Sequence, residues 1–292
     1  MYALTQRGEA SGFCYVNDAV VAILELRRAF DRVAYVDLDL HDGDGVASAF
    51  QHASSSRSDG GSTRWRKRKQ VMTVSVHVSA PGVFPPARHA SAHDAARSSG
   101  HSGLALSVPT RAGLSGPQFV RLVRECVVPA LQAFRPDALV VQAGCDGLAR
   151  DPLAVSAGAP WNVDLRHFGE AFELVLGAHR RGRKTLVLGG GGYDNPNAAR
   201  CWTYLTSIAV RLPHLTKARG QRIEQTERVT QMGEALSLET RIPHDVAMWP
   251  AYAPTWTLDV RASAGMRDEN DDASVRDTVH AFEAHVSRLE RR

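Results

Sequence analysis

The chain has 292 residues, of which 43% are hydrophobic and 23% charged, the usual balance of a soluble globular protein. It contains no apolar run long enough to span a bilayer, no secretory signal at its N-terminus and four scattered cysteines without C-x-x-C pairing, which excludes a disulfide framework. The net charge of +4 is mild and does not indicate direct binding of nucleic acid.

The first predicted elements are a capped helix and a buried strand. Residues 12–30 read as a turn and a helix, with Asn17 or Asp18 as the N-cap. The helix is apolar nearly all round, which predicts that it is buried. Residues 32–40 (RVAYVDLDL) predict a buried strand, because β-branched, aromatic and leucine residues follow one another there.

Two carboxylates and an imidazole stand at the C-terminal end of that strand. Asp37, Asp39 and His41 alternate with leucines, so the two-residue period of a strand should place all three on one face. Asp and His at this spacing suit a divalent transition metal. The alternative is a polar strand end whose aspartates cap the turn formed by residues 43–45.

A Ser/Gly-rich, basic segment interrupts this regular pattern at residues 53–69. Its composition predicts a disordered surface insertion in a single domain that spans residues 1–292. The basic run from Arg64 to Lys69 is typical of a nuclear localisation signal or a nucleic-acid contact, and at least as typical of a solvated charged loop.

Strands and helices alternate along the rest of the chain, which predicts an α/β fold with an open, mostly parallel sheet and helices on both faces. The predicted strands cover residues 71–77, 104–108, 137–142 and 184–188. The predicted helices cover residues 117–134, a segment between the cap Asp164 and Gly182, and residues 196–212.

In such sheets the ligand site lies beyond the C-terminal ends of the strands, so residues that follow different strands should converge there. Asp146 would join Asp39 and His41 to give three ligands and an open position, the catalytic pattern of zinc. A zinc ion at this point would polarise a carbonyl group of the substrate. Tyr193, which follows a run of four glycines, could direct its hydroxyl at the oxygen of that same carbonyl. Alternatively, Asp146 only forms a turn, and the glycine run is a loose loop or a phosphate cradle.

Several segments, in chain order, resemble the zinc-dependent histone deacetylases of the class I kind. They are EASGFCYVND (9–18), DLDLHDGDGV (37–46), VMTVSVH (71–77), QAGCDGLARDPL (142–153), LGGGGYDNPNAARCWTYLT (188–206) and IPHDVAMWPAYAPTWTLDV (242–260). The resemblance implies an arginase/deacetylase-like fold and hydrolysis of acetyl-lysine on histone tails or other proteins. It also implies a nuclear role in transcriptional repression, with corepressor subunits as partners.

The resemblance also implies a role for each matching residue. Asp39, His41 and Asp146 would bind one zinc ion, and Tyr193 would polarise the acetyl carbonyl. The remaining matches are Gly12, Phe13 and Phe84 at the acetyl-lysine tunnel, Asp37 and Ser75 at a monovalent-cation site for K⁺, and Asp44 as the partner of a catalytic histidine.

Departures from the family pattern concern the general base. Ala3 and Leu4 take the places of a tandem His-His pair, and Asp42 replaces another histidine. We therefore expect either an N-terminally incomplete sequence or a natural variant. The competing hypotheses are a catalytically impaired acetyl-lysine-binding corepressor subunit and an arginase-type ureohydrolase, for which the ligands of a second metal ion are missing.

Overall fold

Five parallel strands form the central sheet of the computed structural model, which describes residues 10, 12–50, 69–85, 103–179, 184–217 and 236–291. The strands are β1 (Arg32–Asp37), β2 (Gln70–Val78), β3 (Ala105–Thr110), β4 (Ala138–Gln142) and β5 (Lys184–Leu188). Their spatial order is β3-β2-β1-β4-β5. The predicted parallel α/β sheet is confirmed, although β1 ends at Asp37 rather than at residue 40.

Seven helices pack around this sheet in the described part of the chain. They are α1 (Asp18–Ala29), α2 (Asp44–Phe50), α3 (Gly116–Leu122, a π-helical turn Val123–Val127, and Val128–Phe134), α4 (Pro152–Ser156), α5 (Leu165–Ala178), α6 (Asn195–Lys217) and α7 (Asp272–Glu290). A short 3₁₀ turn covers Trp249–Tyr252. None of the described helices combines the length and apolarity needed to cross a membrane.

The central strand β1 is buried on both faces because its side chains alternate between two apolar cores. Ala34 and Val36 face the larger core, which α3, α5, α6 and α7 cover. Val33 and Tyr35 face the smaller core, which α1 and α2 cover. Because side chains alternate between the two faces of the strand, β1 packs against the helices on both sides of the sheet, as its apolar run predicts.

Helix α1 confirms the predicted cap but not the predicted burial. The Asn17 side chain accepts a hydrogen bond from the Val20 N–H at 3.0 Å. Ala19 and Ile23 are buried against the sheet, whereas Val21 and Leu24 are 58% and 49% exposed. The prediction that this helix is buried all round is therefore wrong, because among the described residues α1 packs through one face only.

The sheet reverses its direction of growth between β1 and β4. The chain builds β1, β2 and β3 outward on one side and then places β4 and β5 on the other. In parallel register Asp37 at the end of β1 pairs with Gln142 at the end of β4. The two segments that follow these residues therefore leave the sheet side by side, which is where open α/β sheets bind ligands.

Candidate metal centre and active site

Asp39, His41 and Asp146 meet beyond the C-terminal ends of β1 and β4. One potential ligand atom from each lies within 4.8 Å of the others, and all three residues are buried. His41 Nδ1 lies 2.9 Å from Asp146 Oδ2 and 3.3 Å from Asp39 Oδ1. Two carboxylates and one imidazole that converge in this way fit a zinc ion.

Main-chain amides orient the two carboxylates of this group. Asp146 Oδ1 accepts the Leu40 N–H at 2.9 Å, and Asp39 Oδ1 accepts the His41 N–H at 3.0 Å. These contacts form because the chain bends after Asp37 instead of continuing as a strand. The prediction that Asp37, Asp39 and His41 share one strand face is therefore wrong, and the bend brings Asp39 and His41 together with Asp146.

Glycines make room for these carboxylates. A Cβ at Gly144 would collide with the Asp39 carboxylate, and a Cβ at Gly191 would collide with the Asp146 carboxylate. The main-chain N–H of Gly191 also donates a hydrogen bond to Asp39 Oδ2 at 2.7 Å. The glycine run is thus a close-packed wall of the candidate metal centre, and the alternative of a loose loop is wrong.

The buried charges of the group perturb one another strongly. Burial, with repulsion from Asp39, raises the pKa of Asp146 to about 7. Burial also acts to raise the pKa of Asp39. The hydrogen bonds and the charge interaction of Asp39 with His41 outweigh burial, so the pKa of Asp39 lies below its ordinary value. Burial opposes the charged form of His41, yet hydrogen bonds to Asp146 and Asp39 raise its pKa to about 10. The carboxylates thus favour a positive charge at this point, which a divalent cation also provides.

Asp37 lies next to the group formed by Asp39, His41 and Asp146. Its carboxylate accepts hydrogen bonds from the Tyr35 hydroxyl at 2.6 Å and from the Asp39 N–H at 3.1 Å. Burial and the charge of Asp39 raise the pKa of Asp37 well above its ordinary value. Ser75 pairs with Asp37 across β1 and β2, and its hydroxyl oxygen accepts the Gly43 N–H at 3.2 Å. The structure thus brings Asp37 and Ser75 together, while their role at a cation site stays a prediction.

Asp44 is buried in the first turn of α2. The sequence predicted only a turn at this place, because Gly43 and Gly45 resemble a chain reversal. Instead, a seven-residue helix begins at Asp44 and packs Val46 and Phe50 into the smaller core. The predicted role of Asp44 as partner of a catalytic histidine stays a prediction.

Tyr193 ends the glycine run, and Phe13 lies close to it. Their ring centroids are 6.2 Å apart, and Tyr193 also packs against the buried Cys14. Gly12 and Phe13 have φ angles of 55° and 64°, so the chain turns sharply here and leaves the Phe13 side chain 66% exposed. Gly12, Phe13 and Tyr193 therefore belong to one region of the surface.

Other predicted features lie in the loop after β2 or outside the described residues. Phe84 is partly exposed in the loop that follows β2, and its place in a substrate tunnel stays a prediction. Ala3, Leu4 and residues 53–68 lie outside the described residues. Lys69, the last residue of the predicted insertion, is described. Its ammonium group donates hydrogen bonds to the main-chain carbonyls of Arg27 and Arg28 at the end of α1.

Asp151 is a buried residue of this region that the sequence analysis did not identify. Its Oδ1 atom accepts the N–H groups of Leu153 and Ala154, at 3.0 and 3.2 Å, and so caps α4. Its Oδ2 atom accepts the Tyr193 N–H at 2.8 Å. An Asp directly before Pro152 is a recognisable N-cap signal. The bond to Tyr193, which is 42 residues away in sequence, has no local signal.

Comparisons with known proteins show which family the sequence matches. Residues 4–209 match the histone deacetylase domain. Over 284 residues, or 97% of the chain, it is 34% identical to histone deacetylase 8 of Xenopus tropicalis and of Xenopus laevis. Over the same length it is 37% identical to histone deacetylase 8 of Danio rerio. The chain spans 63%, 71% and 61% of these relatives, respectively.

Proposed function

The chain belongs to the histone deacetylase family, and we propose that it is a zinc-dependent protein lysine deacetylase that acts on ε-N-acetyllysine. One observation carries this proposal. The buried Asp39, His41 and Asp146 converge at the switch point of the parallel sheet, directly below the loop that ends in Tyr193.

Asp39, His41 and Asp146 would hold the zinc ion through two oxygen ligands and one nitrogen ligand. Zinc bound there would polarise the acetyl carbonyl and lower the pKa of a bound water molecule. The surrounding main-chain amides and the glycine wall keep both carboxylates in place, so the ligands need little rearrangement on binding.

Tyr193 is proposed to donate its hydroxyl to the acetyl oxygen as negative charge develops there. A donor of this kind typically contributes about 3 kcal/mol to the stability of a transition state. Phe13 beside Tyr193, together with Gly12 and Phe84, is proposed to contact the apolar stem of the acetyl-lysine side chain. An aromatic wall suits this substrate because acetylation removes the charge of lysine.

A second candidate function is binding of acetyl-lysine without turnover, as part of a corepressor assembly. The sequence favours it at one point: Ala3 and Leu4 occupy the places of the histidine pair, and neither side chain can accept a proton. General acid–base groups usually contribute a factor of ~10²–10⁴ to such rates. Both functions use the same zinc site and the same substrate contacts.

The wider role is proposed from the family alone. Acetylated histone tails or other acetylated proteins would be the substrates, corepressor subunits the partners, and repression of transcription in the nucleus the outcome. Asp37 and Ser75 are proposed as part of a K⁺ site, because a cation would offset the cost of burying the Asp37 carboxylate.

The proposal is tested by ligand binding to purified, zinc-loaded chain. We expect an acetyl-lysine peptide to bind and the same peptide with unmodified lysine to bind much more weakly in isothermal titration calorimetry. Deacetylation of the peptide, followed by mass spectrometry, separates the enzyme from the binding subunit. Equal affinity for both peptides would contradict both candidate functions.

A further inference from the structure

We propose that Asp151 is a positioning residue that sets the place of Tyr193 relative to the metal ligands. This inference rests on the proposed function of Tyr193 as the residue that binds the acetyl oxygen. Asp151 is 3% exposed, and both of its carboxylate oxygens accept hydrogen bonds. One oxygen caps α4, and the other binds the main chain of Tyr193.

The loop that carries Tyr193 is held at two points. At the first, Gly191 donates its N–H to Asp39 and accepts the Cys145 N–H at 2.5 Å with its carbonyl oxygen. At the second, Tyr193 donates its N–H to Asp151. Between the two points lies Gly192, with a φ of 145° that side-chain-bearing residues rarely adopt. Because glycine gives the chain wide freedom there, the bond to Asp151 fixes the direction in which Tyr193 leaves the loop.

The segment that carries Asp151 is hydrogen-bonded within itself and begins at Asp146, a proposed metal ligand. After Asp146, the N–H of Leu148 binds the Cys145 carbonyl at 3.1 Å, and the N–H of Asp151 binds the Leu148 carbonyl at 3.2 Å. Arg150 has a φ of 70°, which is rare for a residue with a side chain, and the buried Asp151 follows it directly. One short connection thus holds a metal ligand at one end and the Tyr193 anchor at the other.

The geometry requires a carboxylate because two oxygens serve three N–H donors. An asparagine offers one oxygen and one NH₂ group, so either Tyr193 or the α4 cap would face a donor instead of an acceptor. A serine keeps the cap, because its hydroxyl accepts hydrogen bonds at the start of a helix, but it is too short to reach Tyr193 as well. Asp151→Ser therefore removes the bond to Tyr193 while it preserves the start of α4.

Asp164 offers a matched control for the capping role. Its carboxylate also caps a helix: it accepts the His167 N–H at 2.9 Å at the start of α5 and contacts His167 Nδ1 at 2.7 Å. Asp164→Ser should therefore reproduce the effect of a cap substitution without changing the loop that carries Tyr193.

The test is a double-mutant cycle on affinity for an acetyl-lysine peptide, measured by calorimetry on zinc-loaded protein. We expect Asp151→Ser and Asp151→Asn each to keep about one zinc per chain and to raise the Kd of the acetyl-lysine peptide about tenfold. Tyr193→Phe should raise the Kd of the peptide by a similar factor. Asp151→Ser should add little further loss in the Tyr193→Phe background, because its effect passes through the missing hydroxyl. Asp164→Ser should leave the affinity unchanged.

Two outcomes would overturn this inference while the proposed function stands. The first is that Asp151→Ser reduces peptide affinity by the same factor in the wild-type chain and in the Tyr193→Phe variant. The second is wild-type affinity in Asp151→Ser when Tyr193→Phe is impaired. If the zinc-loaded wild-type chain does not distinguish the acetylated peptide from the unmodified one, the proposed function and the role of Asp151 fail together.

Discussion

The main-chain N–H of Gly191 donates a hydrogen bond of 2.7 Å to Asp39 Oδ2, so the loop before Tyr193 is bonded directly to a carboxylate of the candidate metal centre. This contact joins the segment after β5 to the segment after β1. It also explains why a glycine stands there, because any side chain at residue 191 would occupy the volume of the Asp146 carboxylate. The loop and the metal centre therefore cannot move independently.

Gly191→Ala should disrupt the metal centre. The added methyl group collides with Asp146, so we expect zinc affinity to fall at least tenfold, as measured by competition with a chromogenic chelator. Gly177→Ala is the control, because a methyl group there meets nothing within 4 Å and replaces glycine near the end of α5. It should keep full zinc affinity and gain up to about 1 kcal/mol in stability. Wild-type zinc affinity in Gly191→Ala would refute the close-packed glycine wall.

Zinc content should depend on each proposed ligand. The zinc-loaded chain should hold about one zinc per molecule by elemental analysis, because three ligands and an open position form one site. His41→Ala and Asp146→Ala should each remove it after dialysis, since two remaining ligands bind zinc weakly. His280→Ala, which changes an imidazole that is 84% exposed, should retain it. Full zinc in Asp146→Ala would exclude this ligand set.

Deacetylation by residues 1–292 should be very slow compared with a family member that keeps the histidine pair. The positions matched to the general base are Ala3 and Leu4, and zinc with Tyr193 provides only electrostatic stabilisation. We expect the paired substitutions Ala3→His and Leu4→His to raise the rate in a coupled peptide assay, with Tyr193→Phe lowering it again. Turnover of about 1 s⁻¹ or more in the unaltered chain would show that another residue acts as the base.

Arg200 should be important for stability rather than for chemistry. Its buried guanidinium donates hydrogen bonds to the carbonyls of Tyr252, Thr255 and Thr257, and so attaches the segment that follows residue 236 to α6. Arg200→Ala should lower the free energy of unfolding in urea by about 2–4 kcal/mol, because it leaves several carbonyls without a donor.

Arg261→Ala is the control for that measurement. Its side chain is 77% exposed although it forms an ion pair of 2.7 Å with Asp259. Ion pairs exposed to solvent contribute little to stability, so the unfolding curve should barely shift. Similar losses in the Arg200 and Arg261 variants would contradict the proposed anchoring of the C-terminal segment.

Local sequence patterns were sufficient to predict the parallel sheet and the convergence of Asp39, His41 and Asp146. The strands were recognisable from short β-branched apolar runs, and β5 has the predicted bounds Lys184–Leu188. Because parallel strands end at one edge, the sequence positions of Asp39, His41 and Asp146 after two such strands already implied that they meet. Asn17 was likewise recognisable as a cap, since capping involves neighbours along the chain.

Only the tertiary structure decided features that depend on contacts between distant segments. The chain bends after Asp37, so Asp39 and His41 meet Asp146, whereas Asp37 stays on the Tyr35 face of β1 and accepts the Tyr35 hydroxyl. The spacing of the three residues had suggested one shared face. Leu24 is half exposed because burial depends on what packs over a helix as well as on the helix itself. The Asp151–Tyr193 bond joins residues that follow different strands. The sequence by itself thus determined the fold class and the residue types at the candidate metal site, whereas packing at the edge of the sheet determined which carboxylates lie beside His41 and which one binds the main chain of Tyr193.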